Sequence, residues 1–131
     1  MTTSGRTVRD GIVVGIDIGG TKTAIMVWDR ASEVILAEDA VSTPTEIGPN
    51  DFVEGLAQEI TALIARAERT QEDLIAIGVA VPGLVDAAAG TVIEAGNLAG
   101  WVDFPFRECL QEHFPVAIGI EHDANAAALG E

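Results

Sequence analysis

An apolar run from Ile12 to Ile18 carries one carboxylate, Asp17, and leads straight into Gly19-Gly20-Thr21-Lys22. This junction limits the fold more than any other stretch of the chain. A buried strand that delivers a carboxylate into a glycine turn suits a site for phosphate and a divalent cation. Gly19 and Gly20 have access to backbone angles closed to other residues, so successive N–H groups can converge on one anion. Asp17 can hold a hydrated magnesium ion that bridges phosphate oxygens. The next stretch, Thr23-Ala-Ile-Met-Val-Trp28, is a second apolar run with β-branched and aromatic residues and no helix cap. The Walker loop and the dinucleotide fingerprint both lead into a helix and space their glycines differently. The turn is therefore predicted to join two strands. On local sequence alone, an ordinary Gly-Gly hairpin turn is the competing reading.

The rest of the composition narrows the partners. The chain has 131 residues, 48% of them hydrophobic, which suits one domain with a sizeable core. Seven basic and 21 acidic residues leave a net charge of −14. Such a surface repels nucleic acid and anionic membranes, so neither is expected as a partner. A phosphate ligand then needs local backbone donors and a metal, against the overall field. A single cysteine, Cys109, excludes a disulfide framework or a cysteine-rich zinc site within this chain. It is predicted to be a small buried hydrophobe on a helix. No apolar stretch is long enough to span a membrane, and the first ten residues lack the apolar region of a signal peptide. A cytoplasmic location is expected.

A polar arm, residues 1–11, precedes a single lobe, residues 12–131. Three strands are predicted at 12–18, 23–29 and 34–42, joined by turns short enough for antiparallel hairpins. Asp51 and Glu54 make a helix-start signal. Phe52, Leu56, Ile60, Leu63, Ile64 and Ala67 then recur at helical spacing to near Arg69. A fourth strand, Leu74 to Val81, ends at Pro82-Gly83. A short strand at 91–95, a helix at 104–114 and a strand at 116–121 follow. Asp123 stands as a natural cap at the start of an alanine-rich helix. The order predicts an α/β fold whose mixed sheet has three antiparallel strands, then strand-helix crossovers with flanking helices. Ligands gather at the carboxyl ends of parallel strands, and Asp17 and Gly83 both lie at such ends.

Four segments together resemble the ROK family of sugar kinases, in that family's order and spacing. Gly15-Ile-Asp-Ile-Gly-Gly-Thr-Lys-Thr-Ala24 is similar to its first phosphate motif. Gly78-Val-Ala-Val-Pro-Gly-Leu-Val-Asp86 is similar to its glycine-proline strand end. Gly96-Asn-Leu-Ala-Gly-Trp101 resembles its sugar-side loop, and Glu121-His-Asp-Ala-Asn-Ala-Ala-Ala-Leu-Gly-Glu131 its catalytic segment. The resemblance implies an actin-like, ribonuclease-H-like ATPase fold that transfers the γ-phosphate of ATP to a sugar hydroxyl, commonly glucose at C6. It implies Asp17 near magnesium, with Gly19, Gly20, Thr21 and Lys22 near the phosphates. Gly83 and Asn97 would face the sugar, and Asp123 would be the base that accepts the hydroxyl proton. At residue 122 the family usually has an asparagine that contacts sugar hydroxyls. Here it is His122, which can still hydrogen-bond sugar or alter sugar preference.

The chemistry supports these roles independently. A carboxylate at a helix N-terminus stays ionised and can accept a hydrogen bond from an attacking hydroxyl. Asn97 offers a donor and an acceptor, which suits paired hydroxyls. Locally, however, Asp123 also reads as a plain helix cap, Asn97 as a turn residue, Lys22 as a solvated lysine and Trp101 as core. His113 has no chemical claim. The leading expectation is the N-terminal lobe of a glucokinase-like enzyme that uses ATP and Mg2+. A second lobe absent from this chain would supply the adenosine site and a structural zinc, so the isolated lobe is expected to be inactive. The alternatives are a sugar-responsive ROK regulator and a non-catalytic sugar- or nucleotide-binding module. The regulators carry a DNA-binding helix-turn-helix ahead of the glycine motif, where this chain has only a short polar arm and the wrong charge for DNA. Polyphosphate in place of ATP, and a homo-oligomer of the full-length protein, remain open.

Overall fold

The computed structural model of the chain describes residues 11–122. β1 (Ile12–Ile18), β2 (Lys22–Asp29) and β3 (Val34–Ser42) form an antiparallel meander. α1 (Pro49–Arg66) then crosses to β4 (Leu74–Val81), which pairs parallel with β1. β5 (Leu84–Asp86), β6 (Thr91–Glu94), β7 (Val102–Phe104) and α2 (Phe106–Gln111) precede β8 (Ala117–His122), parallel with β4. The main sheet has five strands in the order β3-β2-β1-β4-β8. This is the predicted mixed sheet: a meander on one side of β1 and crossovers on the other.

Two-residue alternation fixes which face is buried. Ile12, Val14, Ile16 and Ile18 of β1 point inward with Ile25 and Val27 of β2, while Asp17 is exposed. α1 lays Phe52, Leu56, Ile60, Leu63 and Ile64 into this core. Full burial of each such side chain is worth about 1.5–3 kcal/mol.

The bounds of α1 differ from the predicted ones at both ends. The helix begins at Pro49 after Gly48, and no side chain caps it. Proline is suited to the first turn because its missing N–H is not needed there. Asp51 lies within that turn, where a carboxylate favours the helix dipole. At the other end Glu68 adopts φ 63°, which stops the helix before Arg69. A capping box does occur, at Thr70 and Asp73 around the 3-10 turn Gln71–Asp73.

The second sheet, in the order β5-β6-β7, is a larger departure. Only β6 was expected, because three-residue strands are too short to show a period. Trp101 ties this sheet to α1. Its ring centroid lies 5.0 Å from Phe52, 5.5 Å from Phe104 and 5.6 Å from Phe106. It is a core residue, as its local sequence suggests, and is only 2% exposed. α2 is shorter than the predicted 104–114, because Phe104 closes β7 and Pro105 stands before the helix. Cys109 is half-buried rather than buried. Burial, with Glu112 and Glu108 nearby, pushes its thiol pKa up, which disfavours the thiolate. Among the described residues, no helix is long and apolar enough to cross a membrane.

Candidate functional site

The registers of β1, β4 and β8 align their carboxyl ends along one edge of the sheet. Asp17 lies beside Ala80, Ala80 beside Glu121, and Val81 beside His122. Adjacent strands lie about 4.8 Å apart, so the backbones at Asp17 and Glu121 are separated by roughly 10 Å. His122 is half-buried at the end of β8. Asp123, the predicted base, lies outside the described residues, as does the predicted helix that follows it.

The turn between β1 and β2 closes when Gly19 N–H donates to Lys22 O at 2.9 Å. Lys22 is already the first residue of β2, exposed and paired with Ser42. Neither glycine of the turn uses the left-handed backbone angles expected of it. The glycines with positive φ among the described residues are Gly48, Gly83, Gly90 and Gly100, and neither Gly19 nor Gly20 is among them. The bare Cα of Gly20 leaves space above the turn. A Cβ there would stand 2.8 Å from Nδ2 of Asn97, so the Asn97 carboxamide rests directly on the turn.

Asn97 reaches that place through Gly83 and the loop before β7. Gly83 follows β4 with φ 129°, and a Cβ on it would run into the Glu94 carbonyl. Its bare backbone therefore packs on Glu94 and Ala95, immediately before Gly96 and Asn97. The loop is held by Leu98 N–H donating to Ala95 O at 2.9 Å and Ala95 N–H donating to Trp101 O at 3.2 Å. One rim thus carries Asp17, the turn Gly19 to Lys22, Gly83, Asn97 and His122.

A supporting segment was not singled out in the sequence. Thr43 N–H donates to Thr21 O at 2.8 Å, and Ala99 N–H donates to Thr45 O at 2.9 Å. The hydroxyls of Thr23 and Thr43 share a buried hydrogen bond of 2.8 Å. Thr43-Pro44-Thr45 therefore braces both the turn and the Asn97 loop. Its signal in the sequence is faint: threonines around a proline, between a strand and a helix.

Among the described residues, no three or more His, Cys, Asp or Glu side chains gather as metal ligands. A zinc site would need such a cluster. Magnesium does not, since it keeps several waters and takes one or two carboxylates plus phosphate oxygens. A single exposed Asp17 beside a turn of backbone donors fits that donor set. Two cavities lined by described residues have volumes of about 400 and 150 Å³. The larger lies between α1 and the segment after α2; the smaller lies between β2, β3 and α1. Neither is lined by Asp17, Gly83, Asn97 or His122.

Comparison with known proteins places the chain in a family. The ROK family model matches residues 13–131. A glucokinase of Halalkalibacterium halodurans is 32% identical over 126 residues, which cover 95% of this chain and 37% of that protein. A xylose repressor of Caldicellulosiruptor bescii is 33% identical over 123 residues, covering 92% and 30%. The crystal structure of a ROK family glucokinase from Streptomyces griseus, in complex with glucose and AMPPNP, matches with a TM-score of 0.70 at 36% identity. That match covers 92% of this chain and 36% of that one. The five-stranded mixed sheet is that of the actin-like ATPase fold. The chain spans about a third of the length of the proteins it matches.

Proposed function

The chain belongs to the ROK family, and on that premise we propose that it is the N-terminal lobe of a sugar kinase. The complete protein would transfer the γ-phosphate of ATP to a hexose hydroxyl, with glucose as the leading substrate. The observation that carries this reading is the contact of Asn97 with Gly20. It sets the element suited to phosphate against the element suited to hydroxyls, on the edge where parallel strands end. The similarity to a glucokinase and to a glucokinase crystallised with glucose and AMPPNP supports the choice of substrates.

Phosphoryl transfer calls mainly for positioning and charge stabilisation. The backbone N–H groups of Gly20 and Thr21 would receive phosphate oxygens, and Lys22 would stand at the side as a mobile cation. Asp17 would hold magnesium through its waters. Bound magnesium would neutralise charge developing on the phosphate oxygens. Asn97 would donate through Nδ2 and accept through Oδ1 at neighbouring hydroxyls. Gly83 keeps the wall beside that loop free of side-chain bulk. Asp123 would accept the proton of the attacking hydroxyl, and His122 would border the same sugar.

The similarity to a xylose repressor favours a second reading, a sugar-binding lobe in a regulator. One experiment separates the two. The complete two-lobed protein is assayed for glucose phosphorylation with ATP and, separately, with polyphosphate. Asp123→Asn is expected to lower kcat about a hundredfold or more, with glucose affinity retained. Sugar binding without turnover on either donor would favour the regulator. Near-normal kcat in Asp123→Asn would remove Asp123 from the role of base.

A further inference from the structure

We propose that Gly20 is a positioning residue for the acceptor sugar. Its missing Cβ seats the Asn97 carboxamide and couples the phosphate turn to the sugar-side loop. The inference rests on the kinase reading above and deepens it. By sequence, Gly20 belongs to the phosphate side. In the structure its φ is not positive, so an alanine would not be barred by the backbone angle. It would instead displace the Asn97 carboxamide, whose Nδ2 lies 2.8 Å from where the Cβ would stand. The bare Cα of Gly20 thus leaves room for a side chain on a distant loop.

Both sides of this contact are held firmly. The turn is closed by Gly19 N–H to Lys22 O at 2.9 Å and pinned by Thr43 N–H to Thr21 O at 2.8 Å. The Asn97 loop is pinned by Ala99 N–H to Thr45 O at 2.9 Å, and its far end is anchored by the buried Trp101. Thr43 and Thr45 belong to one three-residue segment, so the two elements share a brace. Between two braced backbones, the movable part is the short Asn97 side chain. A ligand that shifts the turn must shift Asn97, and a hydroxyl that fixes Asn97 must stiffen the turn. Filling one subsite would then favour filling the other, as linkage requires of any such coupling.

Two measurements test this. In the 131-residue chain labelled with 15N, Gly20→Ala is expected to move the Asn97 side-chain amide resonances and leave the rest of the sheet unchanged. Asn97→Ala leaves the turn's own bonds intact and is expected to move the Gly20 and Thr21 amides. It serves where Gly20→Ala fails to fold. In the complete kinase, Gly20→Ala is expected to raise the KM for glucose about tenfold, a misplacement effect, and by more than it raises the KM for ATP. In an Asn97→Ala background the same change should add no further loss for glucose. Unmoved Asn97 resonances in a folded Gly20→Ala, unmoved turn amides in Asn97→Ala, or a loss confined to ATP would each overturn the proposal. If the unsubstituted protein phosphorylates no sugar, the kinase reading fails while the resonance tests still decide the coupling.

Discussion

At the scale of single residues, Gly83 is the position least open to change. Its φ of 129° and the Glu94 carbonyl beside it both exclude a side chain. Gly83→Ala is expected to lower stability by about 1–3 kcal/mol, read as a fall in the denaturant midpoint at unchanged slope. A midpoint equal to that of the parent would mean that the β4–β5 corner relaxes freely. His122 ends β8 on the rim, half-buried and paired with Val81. In the complete kinase, His122→Asn is expected to change relative kcat/KM among hexoses more than it changes the KM for ATP. Equal effects on every sugar would count against a role in sugar choice. Asp17, Gly83 and Asn97 could be picked out in the sequence because their chemistry or their place at a strand end marks them. The reason for Gly20 could not be read there. It depends on a side chain far along the chain, and only the fold brings the two together.

At the scale of elements, the turn joining β2 to β3 is tied to the end of α1 through Asp29. Its Oδ2 accepts from the Ser32 hydroxyl at 2.7 Å and the Ser32 N–H at 2.9 Å, and its Oδ1 accepts from Arg69 at 3.0 Å. The Ser32 bonds, and then Arg69, hold its carboxyl below the ordinary value of 3.8. A carboxyl lowered in the folded state adds stability above its unfolded pKa, and that stability is lost as pH falls through the folded value. Asp29→Asn is therefore expected to be less stable than the parent at pH 7, with the gap narrowing as pH drops below 3.8. Denaturation across pH measures this; a gap of constant size would assign the effect to packing alone. The long elements were legible because periodicity shows when it is repeated. Strands 12–18, 34–42 and 74–81 match their predicted bounds, and α1 shows its stripe over several turns. β5 and β7 are too short for any period to emerge, and they exist because β6 offers each an edge. The ends of α1 were misjudged because a proline start and a left-handed stop at Glu68 outweigh a carboxylate start signal.

At the scale of the whole molecule, one buried apolar core joins the sheet, α1 and α2, and the candidate site lies along the edge where the parallel strands end. The 131-residue chain is expected to fold cooperatively and to transfer no phosphate, because in-line transfer needs donor and acceptor held from both sides. Calorimetry and an ATP- and glucose-dependent assay on the same sample check both halves of that statement. Robust turnover by this chain would overturn the shared-site view. The strand order carries a further consequence, for how such a molecule comes to exist. β1 sits in the middle of the sheet, yet only β2 reaches it from the next stretch of chain; β4 arrives after β3 and α1, and β8 later still. Pairings between neighbours in sequence close quickly, and distant ones slowly. On a ribosome the meander can therefore assemble while the other flank of β1 stays bare until Val81 has emerged. Throughout that interval the edge of β1 that later receives β4 has no strand beside it.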